Sequence, residues 1–138
     1  MRTIRLLLTT ALFTSFLSCN AQPATKEITA SASDKIEAYY FHFTARCMTC
    51  KTVEAKTKES LESLYPDLMK DNKVTFQSVN LDDNSSKELA QRLQIAGQTL
   101  LIVKGTRKII LTNEGFMYAV AQPEKFKAII KEKVDSLL

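Results

Sequence analysis

The sequence predicts an α/β protein in which a mixed β-sheet is flanked by helices on both faces. Apolar runs of strand length alternate along the chain with longer segments whose apolar residues recur at helical spacing. The predicted order is strand, helix, strand, helix, strand, strand, helix, an alternation that is typical of such sheets. A chain of 138 residues has room for one domain with a single core.

The first strand and helix surround a pair of cysteines. IEAYYFHF (residues 36–43) is rich in aromatic side chains, which predicts a buried strand with those rings in the core. From about Thr49 the pattern becomes helical, and Pro66 is expected to end the helix. The predicted apolar face of this helix consists of Val53, Thr57, Leu61 and Leu64.

The next two elements are shorter. VTFQSVNL (residues 74–81) alternates apolar and polar side chains, which predicts a second strand. DDNSS (residues 82–86) contains residue types that favour helix caps. The segment KELAQRL (residues 87–93) is therefore predicted to form a short helix that ends near Gly97.

The last part of the chain contains two strands and a helix. TLLIV (residues 99–103) is a continuous apolar run suited to a central strand, and KIILT (residues 108–112) is predicted to return beside it. NEGFMYAV (residues 113–120) is more apolar than a loop requires, so it either packs against the last helix or faces a substrate near the cysteines. Pro123 is expected to open that helix. Its predicted apolar face consists of Phe126, Ile129, Ile130, Val134 and Leu137.

The N-terminus has the pattern of an export signal. Two arginines precede an uncharged, mostly apolar run from Leu6 to Leu17, which is too short to span a bilayer comfortably. Its length is typical of the hydrophobic region of a signal peptide. We therefore expect residues 1–18 to be removed on export, which places the protein in an oxidising compartment.

The end of that run resembles the lipobox of bacterial lipoproteins, because Leu17 and Ser18 directly precede Cys19. The resemblance implies that Cys19 is lipidated and becomes the first residue of the mature chain, anchored to the cell envelope by several acyl chains. The alternative is an ordinary signal peptide cut after Ala21. Residues 19–35 are small and polar, which predicts a flexible tether, and residues 36–138 form the predicted folded domain.

The net charge of the chain does not indicate a class of binding partner. The chain has 19 basic and 15 acidic residues and a net charge of +4. Arg2 and Arg5 lie in the predicted signal peptide, so 17 basic and 15 acidic residues remain. The remaining lysines are interleaved with glutamates instead of clustered on one face, which argues against nucleic acid as a partner.

Cys47 and Cys50 lie where the first strand ends and the first helix begins. A helix start offers unpaired backbone N–H groups and the positive end of the helix dipole, which stabilise a thiolate. Cys47 should be the exposed, attacking thiol, and Cys50, one turn inward, should be the more buried, resolving thiol. Lys51 adds a nearby positive charge. The ring that the pair closes is too small to constrain much of the unfolded chain, which favours a reversible switch over a staple.

These residues resemble the active-site segment of the thioredoxin superfamily, in which an aromatic strand is followed by a Cys-x-x-Cys pair and a helix. The segment IAGQTLLIVKGTRKIILTNEG (residues 95–115) is also similar to the one that carries that family's last two strands. The resemblance covers residues 36–138. It implies a thioredoxin-like sheet and thiol–disulfide exchange with protein dithiols or disulfides, without a bound cofactor. We further expect a monomer.

Three positions depart from the family pattern. Met48 and Thr49 separate the cysteines, where thioredoxins have Gly-Pro, and in the family this dipeptide tunes the redox potential. Phe41 stands where thioredoxins usually carry a buried acidic residue. Gln98 or Thr99 stands where the family has a cis-proline that shapes the substrate groove and keeps metals away from the thiols.

Two other interpretations of the pair stay open at this point: a metal site and an inert structural disulfide. A closed zinc site needs four Cys or His ligands, and His42 is the one histidine that the sequence offers. Copper(I) needs fewer ligands and favours sulfur, so Cys47, Cys50 and Met48 form the candidate metal set. Strand alternation places His42 opposite its aromatic neighbours, which favours a packed or edge histidine over a functional one.

Overall fold

The computed structural model describes residues 34–138. The predicted signal peptide, the lipidation at Cys19 and all but the end of the tether lie outside these described residues, so they stay predictions. Within residues 34–138, no helix has both the length and the apolar character needed to cross a membrane.

The described residues form one mixed sheet of four strands with five α-helices, which confirms the predicted α/β class. The strands are β1 (Ile36–His42), β2 (Val74–Asn80), β3 (Thr99–Lys104) and β4 (Arg107–Ile110). The α-helices are α1 (Met48–Leu64), α2 (Pro66–Lys70), α3 (Lys87–Leu93), α4 (Thr112–Tyr118) and α5 (Pro123–Asp135), and a 3-10 turn covers Asn84–Ser86.

The strand order β2-β1-β3-β4 places β1 in the interior of the sheet. It runs parallel to β2, with Ile36 opposite Val74, and antiparallel to β3, with Phe41 opposite Thr99. β3 and β4 are antiparallel neighbours. This register brings the start of β3 beside the end of β1, which is the end that leads to the cysteines.

Both faces of the sheet are covered, as predicted. On one face α1, α4 and α5 pack against a large apolar cluster that contains Tyr40, Leu100 and Ile102. On the other face α3 packs against a smaller cluster that contains Phe41 and Leu101. Burial of apolar side chains on both faces supplies the main stabilising free energy of this arrangement. The predicted apolar faces of α1 and α5 point into the larger cluster. The members of those faces in the cluster or packed against it are Val53, Leu61, Leu64, Phe126, Ile129, Ile130, Val134 and Leu137.

Most of residues 113–120 belong to α4, a helix that was not predicted, and the segment packs against the last helix, which was one of the two expectations for it. Gly115 obscured the helix in the sequence, since glycine is a poor helix former. Glycine stands at this position because of the packing around it. A Cβ at residue 115 would lie 2.8 Å from Cγ1 of Val53 and 3.6 Å from the ring of Phe126. Glycine therefore lets α4 approach α1 and α5 closely.

Three smaller expectations need correction. α1 ends before Pro66 as predicted, but Pro66 also opens α2, which the sequence did not reveal. The last three residues of DDNSS form the 3-10 turn, its N-cap residue Asp83 makes no side-chain cap hydrogen bond, and α3 has no such cap either. Phe43 is 42% exposed instead of buried, because β1 has already ended at His42.

Candidate functional site

Cys47 and Cys50 are joined by a disulfide, with their Cα atoms 5.2 Å apart. A short loop after β1 carries Cys47 to the first turn of α1, which contains Cys50. Cys47 is exposed, whereas Cys50 is 6% exposed and forms part of the core. This is the asymmetry that the spacing predicts: one sulfur is open to a partner and the other is sheltered behind it.

Cys47 is the N-cap residue of α1. Its backbone is extended, with φ −75° and ψ 166°, and its Sγ accepts the backbone N–H of Cys50 at 3.3 Å. The carbonyl of Cys47 accepts the N–H of Lys51 at 3.2 Å, as in a regular helix start. The first turn of α1 contains no acidic residue. In the reduced protein, the positive end of the dipole and a directed N–H would therefore both favour a thiolate at Cys47.

The supporting residues predicted around the pair lie on the first turn of α1. Met48 is the first helical residue and is 77% exposed, Thr49 is partly exposed, and Lys51 is exposed. Met48 therefore offers an apolar, flexible side chain beside the exposed sulfur. Lys51 adds a positive charge on the solvent side of the pair.

Gln98 and Thr99 lie where the chain enters β3, close to the end of β1. Gln98 Nε2 donates a hydrogen bond to the hydroxyl of Tyr40, and Thr99 Oγ1 donates to the carbonyl of Gly97 at 2.9 Å. The segment before β3 is therefore fixed to the strand that leads to the cysteines. That it takes the place of the family's cis-proline stays a prediction.

The loop before Cys47 is fastened to the end of β2. The backbone N–H of Thr44 donates to Asp82 Oδ2 at 2.7 Å, and Asn80 Nδ2 donates to Thr44 Oγ1 at 3.0 Å. The hydrogen bond from the Thr44 backbone lowers the pKa of Asp82 below its usual value of 3.8. Asp82 stays ionised under ordinary conditions and holds this loop in place.

An ion pair that the sequence did not reveal spans the disulfide loop. Arg46, the residue before Cys47, donates from Nη1 to Glu54 Oε2, and the two side chains are 21% and 23% exposed. Glu54 follows Cys50 by four residues, so the two side chains lie on the same face of α1. The four-residue spacing of Cys50 and Glu54 was the sequence pattern that could have placed Glu54 near the pair. No pattern predicted that Arg46 would reach Glu54, because Arg46 lies in a loop.

His42 is a packed histidine, as expected. It is 8% exposed, and its Nδ1 lies 2.9 Å from the carbonyl oxygen of Phe43 while its Nε2 lies 2.9 Å from Ser78 Oγ. A carbonyl oxygen can only accept, so Nδ1 carries a proton and donates to it. Both ring nitrogens are therefore engaged away from the cysteines.

Exposed apolar side chains follow Gly115 along α4 and just beyond it. Phe116, Met117 and Val120 are all exposed. The helix that carries this patch packs against α1 at Val53, six residues after Cys47. The interpretation that it faces a substrate stays a hypothesis.

Within residues 34–138, no three His, Cys, Asp or Glu side chains cluster as metal ligands would. Methionine is not among these four ligand types, so the candidate copper set of Cys47, Cys50 and Met48 stays a hypothesis. In the oxidised state described, the two sulfurs are bonded to each other.

No protein-family model matches the sequence, and no curated protein matches it. Several solved structures are similar. Thioredoxin O2 from Arabidopsis thaliana in its oxidised state is 20% identical, with a TM-score of 0.47, and the match covers 75% of this chain and 80% of that one. The germline-specific thioredoxin Deadhead of Drosophila melanogaster is 22% identical, with a TM-score of 0.45, and the match covers 73% of this chain and 83% of that one.

A thioredoxin from Malassezia sympodialis is 25% identical, with a TM-score of 0.47, and the match covers 75% of this chain and 78% of that one. All three TM-scores are below 0.5. The fold is thioredoxin-like in its own connectivity. A Cys-x-x-Cys helix follows β1, β2 is parallel to β1, and β3 and β4 form an antiparallel pair on the other side.

Proposed function

We propose that this protein exchanges disulfides with thiol-containing protein partners through Cys47 and Cys50. The observation that carries the proposal is the placement of the disulfide across the start of α1. The exposed sulfur caps the helix and accepts the N–H of the buried cysteine. A disulfide with one exposed and one sheltered sulfur, beside the positive end of a helix, suits reversible exchange.

The exchange has two steps that balance without a cofactor. In the reducing direction, the Cys47 thiolate attacks a partner disulfide, forms a mixed disulfide and releases one partner thiolate, which takes a proton from solvent. Cys50 then loses its proton and attacks Sγ of Cys47. This step closes the Cys47–Cys50 disulfide and releases the second partner thiolate, so two electrons pass to the partner. The oxidising direction reverses both steps.

The neighbouring residues have supporting roles in this proposal. Lys51 and the N–H groups of α1 stabilise the Cys47 thiolate, and the Met48-Thr49 dipeptide sets the potential of the pair. Met48 also contacts the partner. Gln98 and Thr99 hold the segment at the start of β3, beside the end of β1.

The test of exchange is the capture of a mixed disulfide. Reduced Cys50→Ser protein, incubated with oxidised glutathione, should accumulate a glutathione adduct on Cys47, because the resolving thiol is missing. The wild-type protein should instead reach the internal disulfide, and both states can be read by mass spectrometry. Wild-type protein that keeps its disulfide intact in dithiothreitol and reduces no insulin would contradict the proposal and favour an inert, non-catalytic module.

We also propose that the protein works in the bacterial cell envelope, held by a lipid on Cys19. The support is the sequence pattern of residues 1–19 alone. Metabolic labelling with a fatty-acid probe should mark the wild-type protein and leave Cys19→Ala unmarked. Equal labelling of both proteins, or none of either, would overturn the anchor.

A second candidate is copper(I) binding by the reduced pair. The observation that favours it is the high exposure of Met48 beside Cys47, because copper(I) accepts thiolate and thioether ligands together. A copper(I) competition assay should then show tight binding that is lost in Cys47→Ser and weakened in Met48→Leu. Weak binding by all three reduced proteins would remove this candidate.

A further inference from the structure

Four polar side chains from separate parts of the chain form linked contacts, and we call them the inner cluster: Tyr40, Arg46, Glu54 and Gln98. Arg46 pairs with Glu54, and Gln98 donates to the hydroxyl of Tyr40. The charges of Arg46 and Glu54 both act on the Tyr40 hydroxyl, which links the two contacts in space. The fold thus places a carboxylate and its counter-ion beside a buried ring of β1.

Glu54 has the right position to reach Cys50. Residues four apart on a helix have Cβ atoms about 5–6 Å apart, a distance that the longer glutamate side chain can cover. The side chain of Glu54 is 23% exposed, so it lies against the protein, and its carboxylate pairs with Arg46, the residue before Cys47. Glu54 is therefore a half-sheltered carboxylate about one helical turn from Cys50.

The resolving step needs a proton acceptor at this place. Cys50 is buried, and burial in apolar surroundings disfavours a thiolate. Its buried neighbour on α1, Val53, cannot accept a proton. His42 has both ring nitrogens engaged elsewhere. Burial raises the pKa of Tyr40, so this phenol stays neutral and is no base either.

We infer that Glu54 accepts the proton of Cys50 during resolution and that Arg46 positions its carboxylate. This inference rests on the proposed exchange function. In the step, the Cys50 S–H proton passes to Glu54, the Cys50 thiolate attacks Sγ of Cys47, and the mixed disulfide breaks. The partner leaves as a thiolate. Glu54 then returns its proton to that thiolate or to solvent, so no other reactant is needed.

The charges around this step set its pH dependence. The loop contributes Arg46, β1 contributes the neutral Tyr40, and α1 itself contributes Lys51. α4, which packs against α1, contributes Glu114 and the phenol of Tyr118, over whose ring Lys125 Nζ lies at 3.9 Å. Arg46 pairs with Glu54, and Lys51 is the other cation nearest the cysteines in the sequence.

The test follows two successive releases of a coloured thiolate. Reduced protein is mixed with a symmetric aromatic disulfide in a stopped-flow instrument at several pH values. The first release reports the attack by Cys47, and the second reports the attack by Cys50 on the mixed disulfide. In Glu54→Gln the first rate should be unchanged or slightly faster. The second should fall about tenfold or more near pH 6 and recover at higher pH, where hydroxide removes the proton.

The direction in which the second release rate changes in Glu54→Gln separates this role from a purely electrostatic one. Removal of a nearby negative charge by itself favours the Cys50 thiolate, so an electrostatic Glu54 predicts a faster second release. An unchanged or faster second release in Glu54→Gln would overturn the inference. A wild-type first release no faster than that of an unperturbed thiol would instead count against the proposed function.

The matched control is Glu62→Gln, which removes one carboxylate from the exposed side of the same helix, where Glu62 pairs with Lys58 at 3.8 Å. Both of its release rates should equal those of wild type. Arg46→Lys should slow the second release less than Arg46→Gln does, because lysine keeps a cation beside Glu54. Thermal unfolding of every variant checks that the fold persists.

Discussion

α1 and α5 begin in opposite ways. α5 begins with Pro123 in its first turn and Glu124 beside it, and its N-cap residue Gln122 makes no side-chain cap hydrogen bond. Proline at this position and an acidic first turn are both common stabilising features of helix starts. α1 has neither. Its cap is the sulfur of Cys47, and its first turn contains no carboxylate.

The difference indicates which start serves stability and which serves chemistry. At α5 the side chains neutralise the positive end of the dipole. At α1 that end is left for a sulfur that is exposed to solvent, so the dipole would stabilise a thiolate in the reduced protein. α1 and α5 come close together at Gly115. A Cβ atom at this position would lie 2.8 Å from Val53 of α1 and 3.6 Å from Phe126 of α5.

The largest expected effect comes from Cys47→Ser. Serine is a good N-cap residue, so the free energy of unfolding should stay close to that of the reduced wild-type protein. Its hydroxyl is not ionised at neutral pH, so exchange with a model disulfide should fall by about a hundredfold or more. Denaturant unfolding and a disulfide-reduction assay measure the two quantities. A variant that loses stability and keeps its activity would reverse our assignment of this helix start.

The next effect is expected where the two helix starts meet. Gly115→Ala forces a methyl group against the stiff side chain of Val53, and we expect a loss of about 1 to 2 kcal/mol after the helix propensity gain of alanine. The control is Gly97→Ala, because a Cβ at Gly97 meets no atom within 4 Å. That variant should be neutral or up to about 1 kcal/mol more stable. Equal unfolding free energies for both variants would contradict the close packing of α4.

A smaller effect tests the charge at the start of α1 directly. Met48→Glu adds an acidic residue to the first turn, which should stabilise α1 by about 0.3–1 kcal/mol. The same charge should raise the pKa of the Cys47 thiol by about 0.2–0.7 units. Met48→Gln is the neutral control. Glu124→Gln should destabilise α5 by a similar free energy and leave the pKa of the Cys47 thiol unchanged. A changed pKa of Cys47 in that variant would mean that the two helix starts are not independent.

The smallest expected effect concerns the loop before Cys47. The pKa of Asp82 is lowered in the folded protein, so its contribution to stability is present above its usual value of 3.8 and is lost as the pH falls through the lower folded value. Wild type should therefore exceed Asp82→Asn in stability at neutral pH, with a gap that closes in acid. Asp83→Asn is the matched control and should show little gap at any pH. A gap for Asp82→Asn that widens in acid would have the wrong sign.

The sequence sufficed for the parts of the fold that periodicity controls. The strands, the long helices and their apolar faces follow from repeated spacing, and Cys47 and Cys50 took their predicted exposed and buried places. α4 escaped prediction because the packing of Gly115 against α1 and α5 depends on residues far away in the chain. Phe43 was placed in the core because its aromatic character gave no sign that the strand ends one residue earlier.

The inner cluster shows the same limit for the candidate site. Tyr40 and Gln98 are 58 positions apart, and their contact depends on the antiparallel pairing of β1 with β3. Arg46 and Glu54 are eight positions apart and meet because the loop folds back over the first turns of α1. Local spacing can place Glu54 near Cys50. It cannot say which cation will hold the carboxylate there.

The most direct measurement is the rate of alkylation of reduced Cys50→Ser protein as a function of pH, which reports the ionisation of Cys47 alone. The arrangement at the start of α1 predicts a midpoint well below that of a free cysteine, about 8.5. A midpoint at or above that of free cysteine would show that the helix does not stabilise the thiolate, and the exchange function would lose its physical basis.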